Sequence, residues 1–152
     1  HYGRWDSGYA RQQMSRPQTL GFGLADSPAG QAAWILEKFR AWTDNDGHPE
    51  DVLTRDEMLD NIMLYWVTNS ATSSARLYWE SFGARERPTV VGVPTGFAVY
   101  PGEIVPPVRE WVAERYPNIE HWATYDKGGH FAAFEVPTTF VADLRTCFAN
   151  FR

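Results

Sequence analysis

Cysteine occurs once, at Cys147, so no disulfide scaffold can form within the chain. Lysine occurs only at Lys38 and Lys127, against twelve arginines, and the 14 basic residues are outnumbered by 19 acidic ones. The resulting net charge of -5 argues against a nucleic-acid partner. No apolar run approaches the roughly 20 residues needed to span a bilayer. Internal repeats and low-complexity tracts are missing as well. So are an initiating methionine and a signal peptide: the chain starts at His1. That start gives the 152 residues the expected status of a piece of something longer. What is there is the composition of a globular protein, 43% apolar and 15% aromatic with seven Trp. A chain of this size and apolar content buries a sizeable core, which excludes disorder.

The first 25 residues show no regular period and read as loop. Asp26-Ser27-Pro28 is a helix start, a capping side chain followed by a proline at the first helical position. Ala32, Ala33, Ile35, Leu36, Phe39 and Trp42 then recur at helical spacing and predict a helix over 28–43. Asp44-Asn45-Asp46-Gly47-His48-Pro49 reads as a turn; it lacks the one-three-five ligand spacing and the Glu at twelve of a calcium loop. Thr54 with Glu57 fits a capping box and opens an apolar helix to about Asn69. A third helix is expected over 73–83.

The pattern changes at Pro88. Thr89-Val90-Val91-Gly92-Val93 reads as a strand buried on both faces. A Gly/Pro-rich loop follows from 94 to 107, then a helix over 108–116, a strand over 121–125, a tight loop at 126–130 and a final helix over 137–151. Strand, helix, strand, helix predicts a parallel βαβ arrangement. Two parallel strands do not make a stable sheet by themselves, so further strands are expected elsewhere.

Functional groups in parallel α/β sheets sit at the carboxyl ends of the strands. Glu103 and His130 fall there, in Pro101-Gly102-Glu103 and Gly128-Gly129-His130. A strand-end carboxylate, then a helix, then a strand-end histidine is the order of the last two triad members in α/β-hydrolases. On position alone, Glu103 also reads as a solvated loop carboxylate, the stronger of its two readings, and His130 as a polar residue in a glycine turn, the weaker of its two. No nucleophile precedes them. There is no Gly-x-Ser-x-Gly; Ser27 sits at a helix cap, Asp6 has no strand before it, and Cys147 lies mid-helix.

Gly128-Gly129-His130-Phe131-Ala132-Ala133-Phe134-Glu135 closely resembles the histidine motif of microsomal-type epoxide hydrolases. Ser7-Gly8-Tyr9 and Arg16-Pro17-Gln18-Thr19 resemble that family's first lid-tyrosine segment. Asp26-Ser27-Pro28-Ala29-Gly30 and Ala33-Trp34-Ile35-Leu36-Glu37-Lys38-Phe39 follow in order. Tyr65-Trp66 and Arg76-Leu77-Tyr78 are similar to its second tyrosine segment. Val93-Pro94-Thr95-Gly96-Phe97 and Tyr100-Pro101-Gly102-Glu103 are similar to its acid loop. The resemblance spans nearly the whole chain.

The resemblance implies an α/β-hydrolase fold of which this chain is the C-terminal part. Residues 1–85 would be the end of a helical lid, and 86–152 the last two parallel core strands with their helices. It makes Tyr9 and Tyr78 the lid tyrosines that hydrogen-bond an epoxide oxygen, Glu103 the triad acid and His130 the base. An upstream aspartate would be the nucleophile, forming an alkyl-enzyme ester that water hydrolyses to a diol. No cofactor or metal is called for. The expected partners are a small epoxide, as in detoxification, and the N-terminal portion of the same hydrolase, with homodimerisation left open. The fragment alone is expected to be inactive. A cytoplasmic location is expected, any membrane anchor lying upstream. Two other readings stay open: another α/β-hydrolase such as a haloalkane dehalogenase or esterase, and a non-catalytic interaction fragment. Tyr9 and Tyr78 speak against the first, and the joint presence of acid, base and tyrosines against the second.

Overall fold

The computed structural model describes residues 2–83 and 90–149. Packing divides the chain into two compact units, His1–Phe39 with Thr54–Glu86 and Arg40–Leu53 with Arg87–Arg152.

The described part of the first unit is helical. Its elements are α1 (Tyr2–Trp5), α2 (Gly8–Ser15), α3 (Pro17–Asp26), most of α4 (Pro28–Trp42), α5 (Arg55–Val67) and α6 (Ala71–Gly83). Residues 2–26, expected as loop, thus form three helices. Three of their four buried positions are small or polar, Ala10 and Gln13 in α2 and Gly21 in α3; Leu24 in α3 is the one large apolar residue. A face of that kind carries no hydrophobic period. It is shaped for close approach, since α2 and α3 both pack on α6. A Cβ on Gly21 would stand 1.9 Å from Thr72 Oγ1, so only glycine lets α3 come this near.

The helix starts follow local chemistry. Ser27 Oγ accepts from Gly30 N at 3.0 Å, and Pro28 supplies the first helical φ of α4. At α5, Thr54 Oγ1 accepts from Glu57 N at 3.2 Å while Glu57 Oε2 accepts from Thr54 N at 2.8 Å. Two otherwise orphaned donors are satisfied by one reciprocal pair. α5 then buries Met58 and Ile62, one turn apart, and leaves Leu59, Met63, Leu64 and Val67 exposed.

In the second unit the end of α4 runs into a turn closed by Gly47 N donating to Asn45 Oδ1 at 2.8 Å. A 3₁₀ turn (Pro49–Asp51) follows, then β1 (Thr95–Val99), α7 (Arg109–Ala113), β2 (Ile119–Thr124), α8 (Ala132–Glu135) and α9 (Pro137–Cys147). The described strands pair in parallel, with Phe97 opposite Trp122 and Val99 opposite Thr124. An isolated bridge between Gly102 and Gly129 carries the pairing past the strand ends.

The strand expected at 89–93 is not where β1 lies. Thr89 is outside the described residues. Val90 and Val93 are exposed, and β1 begins after Pro94. Proline has no N–H to give a ladder, so regular pairing starts at Thr95, whose N–H donates to Asn118 O at 2.9 Å. β2 starts two residues earlier than expected. α9 ends at Cys147; Asn150 and Phe151, in the expected helix, lie outside the described residues. No helix among the described residues is long and apolar enough to cross a membrane.

Candidate active site

Two loops leave the carboxyl ends of the paired strands and run side by side. Gly102 N donates to Gly128 O at 3.0 Å. A Cβ on Gly102 would meet Gly129 Cα at 2.9 Å. Gly128 has φ +108, a left-handed conformation that L side chains resist, and sits against Tyr100 and Val136. A Cβ on Gly129 would meet Trp42 O at 2.5 Å. The glycines are therefore what lets the loops touch, and the touch brings Glu103 and His130 together.

His130 Nδ1 lies 3.0 Å from Glu103 Oε1 and 3.1 Å from Oε2. A carboxylate can only accept, so Nδ1 carries the proton and the neutral ring presents its Nε2 lone pair. The imidazole keeps 37% of its side-chain surface open, enough for a small reactant to reach it. Glu103 Oε1 also accepts from Val105 N at 3.3 Å, which steadies the carboxylate. The imidazole stands edge-on to Trp42, centroids 5.4 Å apart, and to Phe131, 5.2 Å apart.

Sequence reasoning missed the residues that hold this histidine. Gly128 N donates to Asp44 Oδ2 at 2.9 Å and His130 N to Trp42 O at 2.9 Å. Glu135 takes Gly129 N at 3.0 Å on Oε2 and Phe131 N at 3.1 Å on Oε1. Trp42 reads in the sequence as one apolar position of a helix and Asp44 as a turn residue. Glu135 is four residues past Phe131, a spacing that hints at a local carboxylate–amide bond but does not require one.

In the helical unit Tyr9 and Tyr78 meet edge to face, with ring centroids 5.7 Å apart at 76°. The Tyr9 and Tyr2 hydroxyls are 3.4 Å apart. Burial, then the hydrogen bonds to Tyr2 and Tyr78, push the Tyr9 phenol above its ordinary range and keep it a neutral donor. Lys38 Nζ lies 4.6 Å from the centroid of the Tyr9 ring.

The other histidines stand elsewhere. His1 is outside the described residues. His48 Nδ1 accepts from Glu50 N at 3.2 Å at the start of the 3₁₀ turn. His121 Nε2 is 2.6 Å from Asp143 Oδ1, which also accepts from the Tyr125 hydroxyl at 2.5 Å. Among the described residues no group of three His, Cys, Asp or Glu side chains is placed to hold a metal ion.

No family model matches the chain. Individual proteins do. A protein of Stigmatella aurantiaca, provisionally named an epoxide hydrolase, is 51% identical over 146 residues, 96% of this chain and 33% of its own length. Epoxide hydrolase 1 of Sus scrofa is 42% identical over 92% of this chain and 33% of its own. The crystal structure of juvenile hormone epoxide hydrolase from the silkworm Bombyx mori superposes with a TM-score of 0.90 at 38% identity, covering 97% of this chain and 37% of that one. Aspergillus niger epoxide hydrolase gives 0.84 at 30% identity over 98% and 37%. The chain spans about a third of the length of the relatives it matches. With paired parallel strands whose carboxyl-end loops carry an acid and a histidine, and with this likeness along nearly its whole length, the chain is similar to the C-terminal part of epoxide hydrolases and has the corresponding part of the α/β-hydrolase fold.

Proposed function

We propose that the longer protein to which this chain corresponds opens an epoxide with water to a vicinal diol, through an ester on an aspartate outside this chain. The observation that carries the reading is the Glu103–His130 hydrogen bond at the carboxyl ends of adjacent parallel strands. A histidine so oriented is a general base for water. The relatives' names supply the substrate class.

The chemistry balances in two steps. The aspartate oxygen attacks one epoxide carbon, the C–O bond on that carbon breaks, and the leaving oxygen is protonated from the tyrosine side as it becomes a hydroxyl. Tyr9 and Tyr78 suit this because they are phenolic donors, worth most when aimed at the oxygen on which charge develops. Water then attacks the ester carbonyl while its proton passes to His130 Nε2. The acyl–oxygen bond breaks, the diol leaves as a neutral alcohol, and the aspartate is regenerated as a carboxylate; the proton taken up by His130 then returns, through solvent, to the tyrosine that gave one up, which restores both groups. Glu103 stabilises the imidazolium that forms in between. Splitting one difficult hydrolysis into two steps is the benefit of the covalent route.

The substrate class we assign is a bulky, apolar aryl or alkyl epoxide of the styrene oxide kind. The tyrosine pair favours an epoxide over a haloalkane, because a departing halide needs no proton donor.

A single turnover of the full-length protein on styrene oxide in ¹⁸O-labelled water tests the reading. The first diol is expected to carry unlabelled oxygen, taken from the aspartate. Label in the first-turnover diol would mean direct attack by water, and no diol would remove the assignment.

A further inference from the structure

Glu135 takes no part in the reaction steps proposed above, yet its carboxylate accepts three backbone N–H groups around His130. Its carboxylate accepts from Gly129 N at 3.0 Å and Phe131 N at 3.1 Å, the residues on either side of the histidine. It also accepts from Asp44 N at 2.7 Å, in the turn that follows α4. That turn holds the loop from its other side, since Trp42 O takes His130 N and Asp44 Oδ2 takes Gly128 N. Every backbone N–H from Gly128 to Phe131 is thereby bonded, half of them by this one carboxylate. The fit leaves no slack: a Cβ on Gly129 would stand 3.0 Å from Glu135 Oε1.

We propose that Glu135 is a positioning residue for the base. It fixes the backbone on both flanks of His130, so that the imidazole meets Glu103 with Nδ1 and turns Nε2 toward the reacting water. This rests on the reading of His130 as the general base. The physical case is one of geometry and charge. A carboxylate bridging two flanking amides restrains both translation and rotation of the peptide between them. Hydrogen bonds to a charged acceptor are about twice as strong as neutral ones. Proton transfer from water falls steeply with misplacement of the base, on the order of a hundredfold for one ångström. Glutamine is the informative replacement: it keeps the shape but turns one acceptor into an N–H donor, which then faces a backbone N–H.

The test uses Glu135→Gln in the full-length protein with styrene oxide and rapid quenching, so that ester formation and ester hydrolysis are timed separately. Ester formation does not use His130 and is expected at the wild-type rate. Ester hydrolysis is expected to slow on the order of a hundredfold, with a shifted pH profile. Equal loss in both steps would mark a merely structural role and overturn the proposal, as would no loss in either. If Glu135→Gln fails to fold, Glu135→Asp serves. Its charge is kept but its reach is one methylene shorter, and hydrolysis alone must again slow, or the proposal falls. The amide resonances of Gly129 and Phe131 give a readout free of the reaction. They are expected to move in either variant, and unmoved amides would refute the clamp. A wild-type protein that forms no ester, with these amides nonetheless shifted by the variant, would sink the proposed function while leaving the clamp standing.

Discussion

Nδ1 of His130 is shared almost evenly between the two carboxylate oxygens of Glu103, at 3.0 and 3.1 Å. A single N–H shared between two oxygens is a bifurcated hydrogen bond, and it sets the tautomer and the direction of the Nδ1–H bond. The ring cannot flip without breaking both contacts.

The first prediction concerns this pair. In the full-length protein, His130→Ala is expected to form the ester and then stall, so that the covalent species accumulates and is seen by intact-protein mass spectrometry. Turnover of this variant at the normal rate would show that His130 is not the base.

Removal of one phenol is expected to act on the other step. Tyr78→Phe should slow ester formation, on the order of a hundredfold if Tyr78 donates to the developing alkoxide. Ester hydrolysis should stay unchanged. Stopped-flow and quench measurements on styrene oxide check both rates, and an effect confined to hydrolysis would remove the tyrosine from its role.

The loop contact makes a stability prediction that needs no substrate. Gly129→Ala puts a methyl 2.5 Å from Trp42 O and 2.9 Å from Asp44 N, both backbone atoms. Relief requires moving the α4 exit, and overpacking of this sort costs about 1–3 kcal/mol. A thermal midpoint equal to that of the wild type would show the contact to be slack.

Two titrations test the local electrostatics. The Thr54 hydroxyl and backbone N–H hold the Glu57 carboxyl below its ordinary value of 4.5. A carboxyl pKa that is lower in the folded state adds stability above the unfolded value and loses it as pH falls through the folded one. Thr54→Ala is expected to raise the Glu57 pKa, read by NMR, and to cost about 1 kcal/mol through the lost cap. Tyr125 runs the other way. Its hydrogen bond to Asp143, then burial, pushes the phenol up to about 12. Its contribution is complete below the ordinary value of 10.0 and fades as pH rises through 12. Asp143→Asn should bring the absorbance titration of Tyr125 back toward 10.0, and an unmoved curve would refute the contact.

A last prediction follows from length. The 152 residues alone are expected to leave styrene oxide intact, and diol formation by the isolated chain would place a nucleophile within it.

The helix starts at Ser27-Pro28 and Thr54 were legible because a cap is made within three residues of itself. That Glu103 and His130 follow successive strands was legible from their order along the chain, and the structure brings the two side chains into contact. The helices over 2–26 were not. Their packing face is Ala10, Gln13, Gly21 and Leu24, and its complement, Thr72, lies some fifty residues away. β1 was misplaced for a related reason. The Val-rich run and the true strand are both apolar, and the choice between them was made by Pro94 and by register with Ile119–Thr124.

The sequence by itself determined what acts through near neighbours: the two caps, the turn at Asp44–Pro49, the absence of any disulfide, and the order of acid loop and histidine loop. Tertiary structure alone decided which side chains meet. Asp44 and Glu135 are 91 residues apart and meet through a single 2.7 Å hydrogen bond. Only the path of the chain could choose that pairing, because a hydrogen bond is specific in distance and angle but blind to sequence separation.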